Sequence, residues 1–197
     1  MSTAPTREAV FGLMQSKGYV TFAGDFDLNI IGVRSLPGIP NTFDDWLCVA
    51  YRENGAWVWK TWPCTTDPGK YYLQNPMKVT GTAVLAPAQN RGAFTFGLHH
   101  SSYECLVQRT SVASYIDNNR DTTADASGKV YQLSAGCGIH IHRASSSRAS
   151  TQVDKWSAGC QVLASPSNFD ELMRLCHAQV EHGHGNRFTY TLLEVAL

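Results

Sequence analysis

Apolar and polar residues alternate along much of the chain, and this period of two predicts a mainly β fold. The alternation runs through segments that are bounded by Gly, Pro, Asn or Asp. They cover residues 28–34, 46–52, 56–62, 79–86, 93–99, 104–109, 111–116, 139–142, 161–164 and 188–195. Glu53-Asn54-Gly55 separates two of these segments and predicts a tight hairpin, because Asn-Gly readily adopts the positive φ angles of such a turn.

Two segments change to helical spacing instead. Residues 7–16 predict a short helix that ends at Lys17-Gly18, and a second helix is predicted to begin near Ser165-Pro166 and to end before Gly183. The polar stretch 117–128 predicts a loop. We therefore expect a mainly β fold with flanking helices, made of an N-terminal helical extension (1–27) and one larger domain (28–197).

Composition excludes several classes of protein. With 16 basic and 16 acidic residues the formal net charge is zero, and no charge run or basic tail indicates a nucleic-acid partner. No apolar run reaches the length of a membrane span. The first residues lack the basic and apolar regions of a signal peptide.

No C-x-x-C pair is present among the six cysteines, which argues against a zinc ribbon or a thioredoxin-type site. Cys48, Cys105 and Cys176 lie in apolar segments and are expected to be buried.

The strongest chemical signal is a cysteine on a glycine turn that follows a strand-borne imidazole. Cys160 ends the run Trp156-Ser157-Ala158-Gly159-Cys160, and His142 lies 18 residues earlier in an alternating segment. An imidazole that accepts the thiol proton makes cysteine an effective nucleophile. We expect Cys160 to be the nucleophile and His142 its base. The backbone N–H groups of Gly159 and Cys160 are expected to hold the oxyanion, and Ser157 to shape the turn or position substrate.

This arrangement resembles the catalytic core of the L,D-transpeptidases, cysteine enzymes that act on peptidoglycan stem peptides. Their motif is a His, a spacer and then Ser/Thr-His-Gly-Cys. His142, Ser157, Gly159 and Cys160 match it in type and spacing, and Thr66-Asp67-Pro68-Gly69-Lys70-Tyr71-Tyr72 resembles a strand-forming segment of the family. The resemblance covers roughly 28–197. It implies an L,D-transpeptidase-like β-sandwich or mixed sheet for the catalytic domain.

The chain departs from that family at the positions that face the substrate. Ala158 stands where the family usually has a second His, and Arg143 follows the catalytic His where a small residue is usual. The nucleophile and base are kept, while the wall that contacts the substrate differs. The residues expected to contact substrate are Arg143, Trp156, His140, His100 and Tyr103.

The function implied by this resemblance is a cysteine peptidase or amidase that cleaves stem peptides or cross-links of peptidoglycan, with no cofactor. Transfer to a second stem peptide, which would form cross-links, is the alternative outcome. Because no signal peptide is visible, we expect synthesis in the cytoplasm and action on the wall after lysis or from a virus particle. A lytic enzyme of bacteriophage type, an endolysin, fits this context. The sequence does not indicate an oligomeric state.

Two other classes of function remain open. His140 and His142 share a strand face if the strand is regular, so they and Cys160 form an alternative zinc site, with His99, His100 or His184 nearby. A zinc-dependent hydrolase would follow from that site. The third class is a non-catalytic virion or wall-binding module on the same fold, since fold alone does not determine function.

Overall fold

The computed structural model, which describes residues 3–196, contains eleven strands. The strands are β1 (Asn29–Leu36), β2 (Asp45–Glu53), β3 (Ala56–Thr65), β4 (Thr82–Leu85), β5 (Ala88–His99), β6 (Tyr103–Gln108), β7 (Val112–Asp117), β8 (Tyr131–Leu133), β9 (Ile141–Arg143), β10 (Gln161–Leu163) and β11 (Phe188–Ala196). Ten of them lie within or around the segments predicted from the alternation. The predicted mainly β class is confirmed.

Eight of the strands close into a barrel in the order β1-β11-β5-β6-β9-β10-β3-β2. The pairing is mixed: β1 runs parallel to β11 and β9 parallel to β10, while the other neighbours are antiparallel. The mixed pairing agrees with the expected mixed sheet. The closure differs from an open sandwich, because pairing of β1 with β11 leaves no edge between the first and last strands.

The hairpin between β2 and β3 forms at the predicted position. Glu53 pairs with Ala56, and the two residues between them have φ angles of 52° (Asn54) and 77° (Gly55). Both angles are positive, as a two-residue hairpin turn of this twist requires.

A separate sheet of three strands, ordered β4-β7-β8, lies beside the barrel. Strand β8 and the 3₁₀ turn Ala135–Cys137 that follows it were not predicted from the sequence. The predicted polar loop is present after β7. In it, the side chain of Asn119 bonds to the backbone N–H and the carboxylate of Asp121, and the Asp121 carboxylate accepts from the N–H of Thr123.

Three helices accompany the strands: α1 (Arg7–Ser16), α2 (Lys70–Gln74) and α3 (Pro166–Glu181). Both predicted helices, α1 and α3, are present. Helix α2 contains Lys70, Tyr71 and Tyr72, so the last three residues of the segment that resembles one of the L,D-transpeptidases are helical here. Of the helices within residues 3–196, none combines the length and the hydropathy needed to cross a bilayer.

The two longer helices cover different parts of the barrel. Helix α3 places Phe169, Leu172 and Cys176 in the main core, whereas α1 places Val10 and Met14 in a second cluster against β1, β2 and β11. The N-terminal helix therefore packs directly on the barrel.

Arg34 is a charged side chain that is almost fully buried in the barrel. Arg34 is 1 % exposed, and its guanidinium lies 3.0 Å from Asp67 and 3.1 Å from Glu194. It also donates hydrogen bonds to the hydroxyl and carbonyl oxygens of Thr66. These contacts join β1 to β11 and to the segment that leads into α2.

Candidate functional site

The parallel pair β9 and β10 brings the predicted nucleophile and base to one face of the barrel wall. Val162 pairs with His142, and Leu163 pairs with Arg143. Ile141 and Leu163 point into the main core. Alternation therefore places His142 on the opposite face, and Cys160 packs on that face beside the cluster that contains Val162.

A cleft of about 710 Å³ opens on this face, between the barrel wall and the small sheet. The barrel contributes His99, His140, His142 and Cys160, and the small sheet contributes Ala83, Ile116 and Leu133. Cys160 and His142 thus line one cavity, as the spacing predicted. The cleft is large enough for a peptide-sized ligand.

Ser157 holds the turn that carries the nucleophile. Its buried hydroxyl donates to the carbonyl oxygen of Cys160 at 2.8 Å and accepts from the N–H of Gly159 at 3.2 Å. Its own carbonyl accepts from the N–H of Gly69 at 2.9 Å. With these contacts Ser157 acts within the turn, which agrees with the first of its two predicted roles.

Gly159 is required by close packing against the small sheet. Its φ angle is 117°, and a Cβ added there would lie 2.5 Å from the carbonyl oxygen of Ala83. The same turn alters the expected oxyanion site, because the N–H of Gly159 already donates to Ser157. Of the two backbone donors predicted for the oxyanion, the N–H of Cys160 is the one left.

The thiol of Cys160 is half-buried and interacts with the backbone. It donates to the carbonyl oxygen of Gly138 and accepts from the N–H of His140, each at 3.4 Å. Burial raises the pKa of Cys160 to about 11, although the His140 N–H opposes that shift. Within residues 3–196, no hydrogen bond joins this thiol to His142, so the expected pair lines one cleft without direct contact.

His142 is buried and positioned by the backbone beside it. Its Nδ1 lies 2.8 Å from the carbonyl oxygen of Arg143 and 3.3 Å from the hydroxyl of Tyr103. The carbonyl oxygen of Arg143 can only accept a hydrogen bond, so Nδ1 of His142 carries the ring proton. Nε2 then carries the lone pair. Nε2 is buried and has no hydrogen-bond partner among residues 3–196. Burial, and secondly the neighbouring His99, lower the pKa of His142 to about 3, so the imidazole is neutral at neutral pH.

Two further imidazoles adjoin His142. The ring of His99 stacks on that of His142 with centroids 4.0 Å apart, and Nδ1 of His99 lies 3.2 Å from Nδ1 of His140. Burial lowers the pKa of His99 to about 4 and also lowers the pKa of His140, with the charge of His100 a smaller cause in each case. These imidazoles are therefore neutral and can accept protons or bind metal.

His99 and His100 both line the cleft, although adjacent residues of a regular strand point to opposite faces. His100 has a φ angle of 47°, so the chain leaves the regular strand there and the alternation of faces ends. Both imidazoles line the cleft. The pattern of the strand gave no sign of this turn.

All the residues predicted to contact substrate line the cleft, namely Arg143, Trp156, His140, His100 and Tyr103. The guanidinium of Arg143 lies 3.9 Å from the centre of the Tyr103 ring, which positions it by a cation–π contact. Trp156 is 43 % exposed at the rim. The role of these residues in substrate binding stays a prediction.

Sequence reasoning missed the cationic character of the cleft. Lys78 and Lys155 line it together with Arg143, while no Asp or Glu is among its lining residues within 3–196. Lys155 lies 4.2 Å from the centre of the Tyr71 ring. The two lysines come from loops that are distant in sequence, so only the tertiary structure brings them together.

The residues able to bind a metal differ from the set considered from the sequence. Among the described residues, His99, Cys105 and His140 form a group whose potential ligand atoms lie within 4.8 Å of one another. Neither His142 nor Cys160 belongs to it. His184 is outside the cleft and bonds instead to the carbonyl oxygen of Asp25 at 2.8 Å.

Comparison of the chain with protein-family models, with curated proteins and with solved structures gives no match, so any function has to be inferred from the site itself.

Proposed function

We propose that this protein is a cysteine hydrolase of peptide or amide bonds, with Cys160 as nucleophile and the stem peptides of peptidoglycan as substrate. The observation that carries the proposal is the position of Cys160. Its half-buried thiol is held on a rigid turn at the wall of a cleft that neutral imidazoles also line. The resemblance to the L,D-transpeptidases supplies the substrate class and the finer fold assignment, and the mixed strand pairing supports the fold part of that resemblance.

In the proposed reaction, Sγ of Cys160 attacks the substrate carbonyl carbon while its proton passes to Nε2 of His142. The N–H of Cys160 stabilises the oxyanion. Collapse of the tetrahedral intermediate breaks the C–N bond, and the amine leaves with the proton held by His142. Water then attacks the thioester, which releases the acid and restores the thiol.

The two pKa shifts favour proton transfer during attack over a preformed ion pair. The thiol pKa is raised to about 11 and the His142 pKa is lowered to about 3, so the resting proton stays on sulfur. Substrate must also close the gap between thiol and imidazole, because the two groups do not bond directly here. Catalytic hydrogen bonds often tighten only in the complex with substrate.

The charge of the cleft supports an anionic substrate. Lys78, Arg143 and Lys155 line it without a compensating carboxylate among the described lining residues. A stem peptide offers carboxylates at its D-amino-acid or diamino-acid end, and Arg143 is suited to paired hydrogen bonds with a carboxylate. This complementarity favours cleavage near a free carboxylate.

Digestion of purified sacculi, followed by mass spectrometry of the soluble products, tests the proposal. We expect the protein to release muropeptides with new carboxyl and amino ends, and Cys160→Ala to release none while keeping its circular dichroism spectrum. Full activity of Cys160→Ala would refute the cysteine mechanism. Inactivity of the wild-type protein on every sacculus type would favour a binding module.

The same products separate hydrolysis from cross-link formation. Water as acceptor lowers the number of stem-peptide bonds, whereas a stem-peptide amine as acceptor keeps it constant. We propose hydrolysis because the cleft is open to solvent on the side of Trp156, which is 43 % exposed. New cross-links without net bond loss would identify a transpeptidase instead.

A further inference from the structure

Three side chains from adjoining parts of the barrel wall lie close together, and two of them, His99 and His140, line the cleft. His99 lies at the end of β5, Cys105 lies in β6, and His140 directly precedes β9. Their potential ligand atoms all lie within 4.8 Å of one another. Two imidazoles and one thiol are the side chains that zinc prefers in proteins.

The separation of the two imidazoles matches that of ligands on one tetrahedral ion. Nδ1 of His99 lies 3.2 Å from Nδ1 of His140. Two nitrogens at normal zinc distances and a tetrahedral angle are about 3.3 Å apart. The nitrogen–nitrogen distance of this pair is therefore the one that two ligands of a single zinc ion require.

The strand pairing holds the third ligand close to that pair. His99 in β5 pairs with Tyr103 in β6. Cys105 lies two residues after Tyr103 in β6, so it is on the same face of the sheet as His99 and Tyr103. Leu106 pairs with Ile141, which brings β6 beside the strand that follows His140. Ligands on paired strands are held more firmly than ligands on loops.

We propose that His99, Cys105 and His140 form a binding site for Zn²⁺ in the wall of the cleft. His99 and His140 both line the cleft, so the fourth coordination position faces it and can take water or a ligand atom. Binding converts the thiol of Cys105 to a thiolate and releases its proton to solvent. The site is independent of the proposed hydrolase, although an ion here would lie in the same cleft as Cys160.

Metal titration of the reduced, chelator-treated full-length protein tests this site. We expect one Zn²⁺ per chain by elemental analysis after dialysis, and a melting temperature that rises with free Zn²⁺. With Co²⁺ as the probe, we expect the visible bands of tetrahedral cobalt together with sulfur-to-metal charge transfer. His99→Ala, His140→Ala and Cys105→Ser should each weaken binding about 100-fold or more, beyond the usual effect of losing an outer-shell partner.

Two variants serve as controls. His100→Ala removes the imidazole next to His99 and should keep Zn²⁺ affinity within about threefold, since His100 is outside the ligand group. Cys160→Ala should also keep the metal and the charge-transfer band. Cys105 is fully buried, so if Cys105→Ser fails to fold, His99→Ala at the half-buried strand end carries the test.

Some results would overturn the proposal. The proposal predicts about one equivalent of Zn²⁺ per chain, and a content below about a tenth of an equivalent in folded wild-type protein would overturn it. Binding that is lost in Cys160→Ala and kept in His99→Ala would assign the metal to His140, His142 and Cys160 instead. Because all these readouts are metal binding and stability, an inactive hydrolase would leave the result unchanged.

Discussion

The hydroxyl of Ser157 donates a hydrogen bond to the carbonyl oxygen of Cys160 at 2.8 Å, which ties the nucleophile to a residue three positions earlier. The same hydroxyl accepts from the N–H of Gly159. One buried oxygen of Ser157 therefore bonds to Gly159 and to Cys160, and these two bonds fix the turn that carries the thiol.

Removal of that hydroxyl should loosen the turn. We expect Ser157→Ala to lower the free energy of unfolding by about 1–3 kcal/mol, because it leaves buried backbone groups unpaired. It should also lower kcat on peptidoglycan while the thiol remains present by titration with a thiol reagent. Ser157→Thr keeps the hydroxyl and is the matched control for loss of the hydrogen bond. A fully active and fully stable Ser157→Ala variant would contradict this role.

The raised pKa of Cys160 predicts a specific alkylation profile. Burial raises that pKa to about 11, so the thiolate is scarce at pH 7 and should increase about tenfold per pH unit until the pH nears the pKa. We expect the iodoacetamide rate of chelator-treated protein, followed by peptide mapping, to rise throughout pH 7–10. The half-exposed Cys137 is excluded by a Cys137→Ser background. A rate that is already constant below pH 7 would show a thiolate–imidazolium pair instead.

His142 in β9 and His140, which directly precedes β9, should differ in importance for the reaction. His142→Ala removes the proposed base and should slow acylation roughly 10²–10⁴-fold, measured by single-turnover kinetics. His140→Ala keeps the backbone N–H that contacts the thiol and should cost less than about tenfold in chelator-treated protein. Equal and total losses at both positions in protein that has not been treated with chelator, together with stoichiometric zinc by elemental analysis, would argue for the metal-dependent hydrolase.

The basic side chains that line the cleft, Lys78, Arg143 and Lys155, should contribute to the binding of an anionic substrate. Lys78→Gln removes a positive charge that no described carboxylate in the cleft lining offsets. We expect KM for stem peptides with free carboxylates to rise several-fold, kcat to change little, and the difference to shrink at high salt. Lys17→Gln, which lies at the end of α1 and outside the cleft lining, is the control. A KM that is unchanged for acidic and amidated peptides alike would remove the charge argument.

The buried arginine should contribute far more to stability than an exposed ion pair. Arg34→Met leaves Asp67 and Glu194 without their buried partner and should cost about 3–5 kcal/mol in urea unfolding. Lys60→Met breaks the partly exposed pair with Glu171, whose atoms lie 2.9 Å apart, and should cost under about 1 kcal/mol. Similar losses for both variants would contradict this distinction.

Local patterns predicted the parts of the fold that depend on neighbouring residues. Alternation located ten strands, and Asn54-Gly55 located the hairpin, because each signal is contained within a few residues. Closure of the barrel depends on β1 pairing with β11, whose paired residues Ile30 and Tyr190 are far apart in sequence. No local pattern specifies such a parallel pair. Strand β8 was missed because it is short and mostly exposed, and so has little apolar alternation.

The candidate site was predictable where chemistry and spacing coincide. Cys160 and His142 were found because a thiol on a glycine turn and a strand-borne imidazole are recognisable separately. Cys105 was expected to be a buried core residue, and it is buried, but its nearness to His99 and His140 follows from strand register. The basic lining of the cleft was missed for the same reason, since Lys78 and Lys155 are distant in sequence and line one cleft only in the folded chain.

The position of β11 between β1 and β5 has a consequence for synthesis on the ribosome. Both of its neighbours emerge long before it does, so the nascent chain carries two unpaired strand edges until residues 188–196 leave the exit tunnel. Exposed edges of this kind recruit other strands, and chaperones or rapid completion protect against that. A chain truncated within α3 would lack β11, so the edges of β1 and β5 would stay unpaired and the cleft wall on β6 and β9 would have no closed barrel to support it.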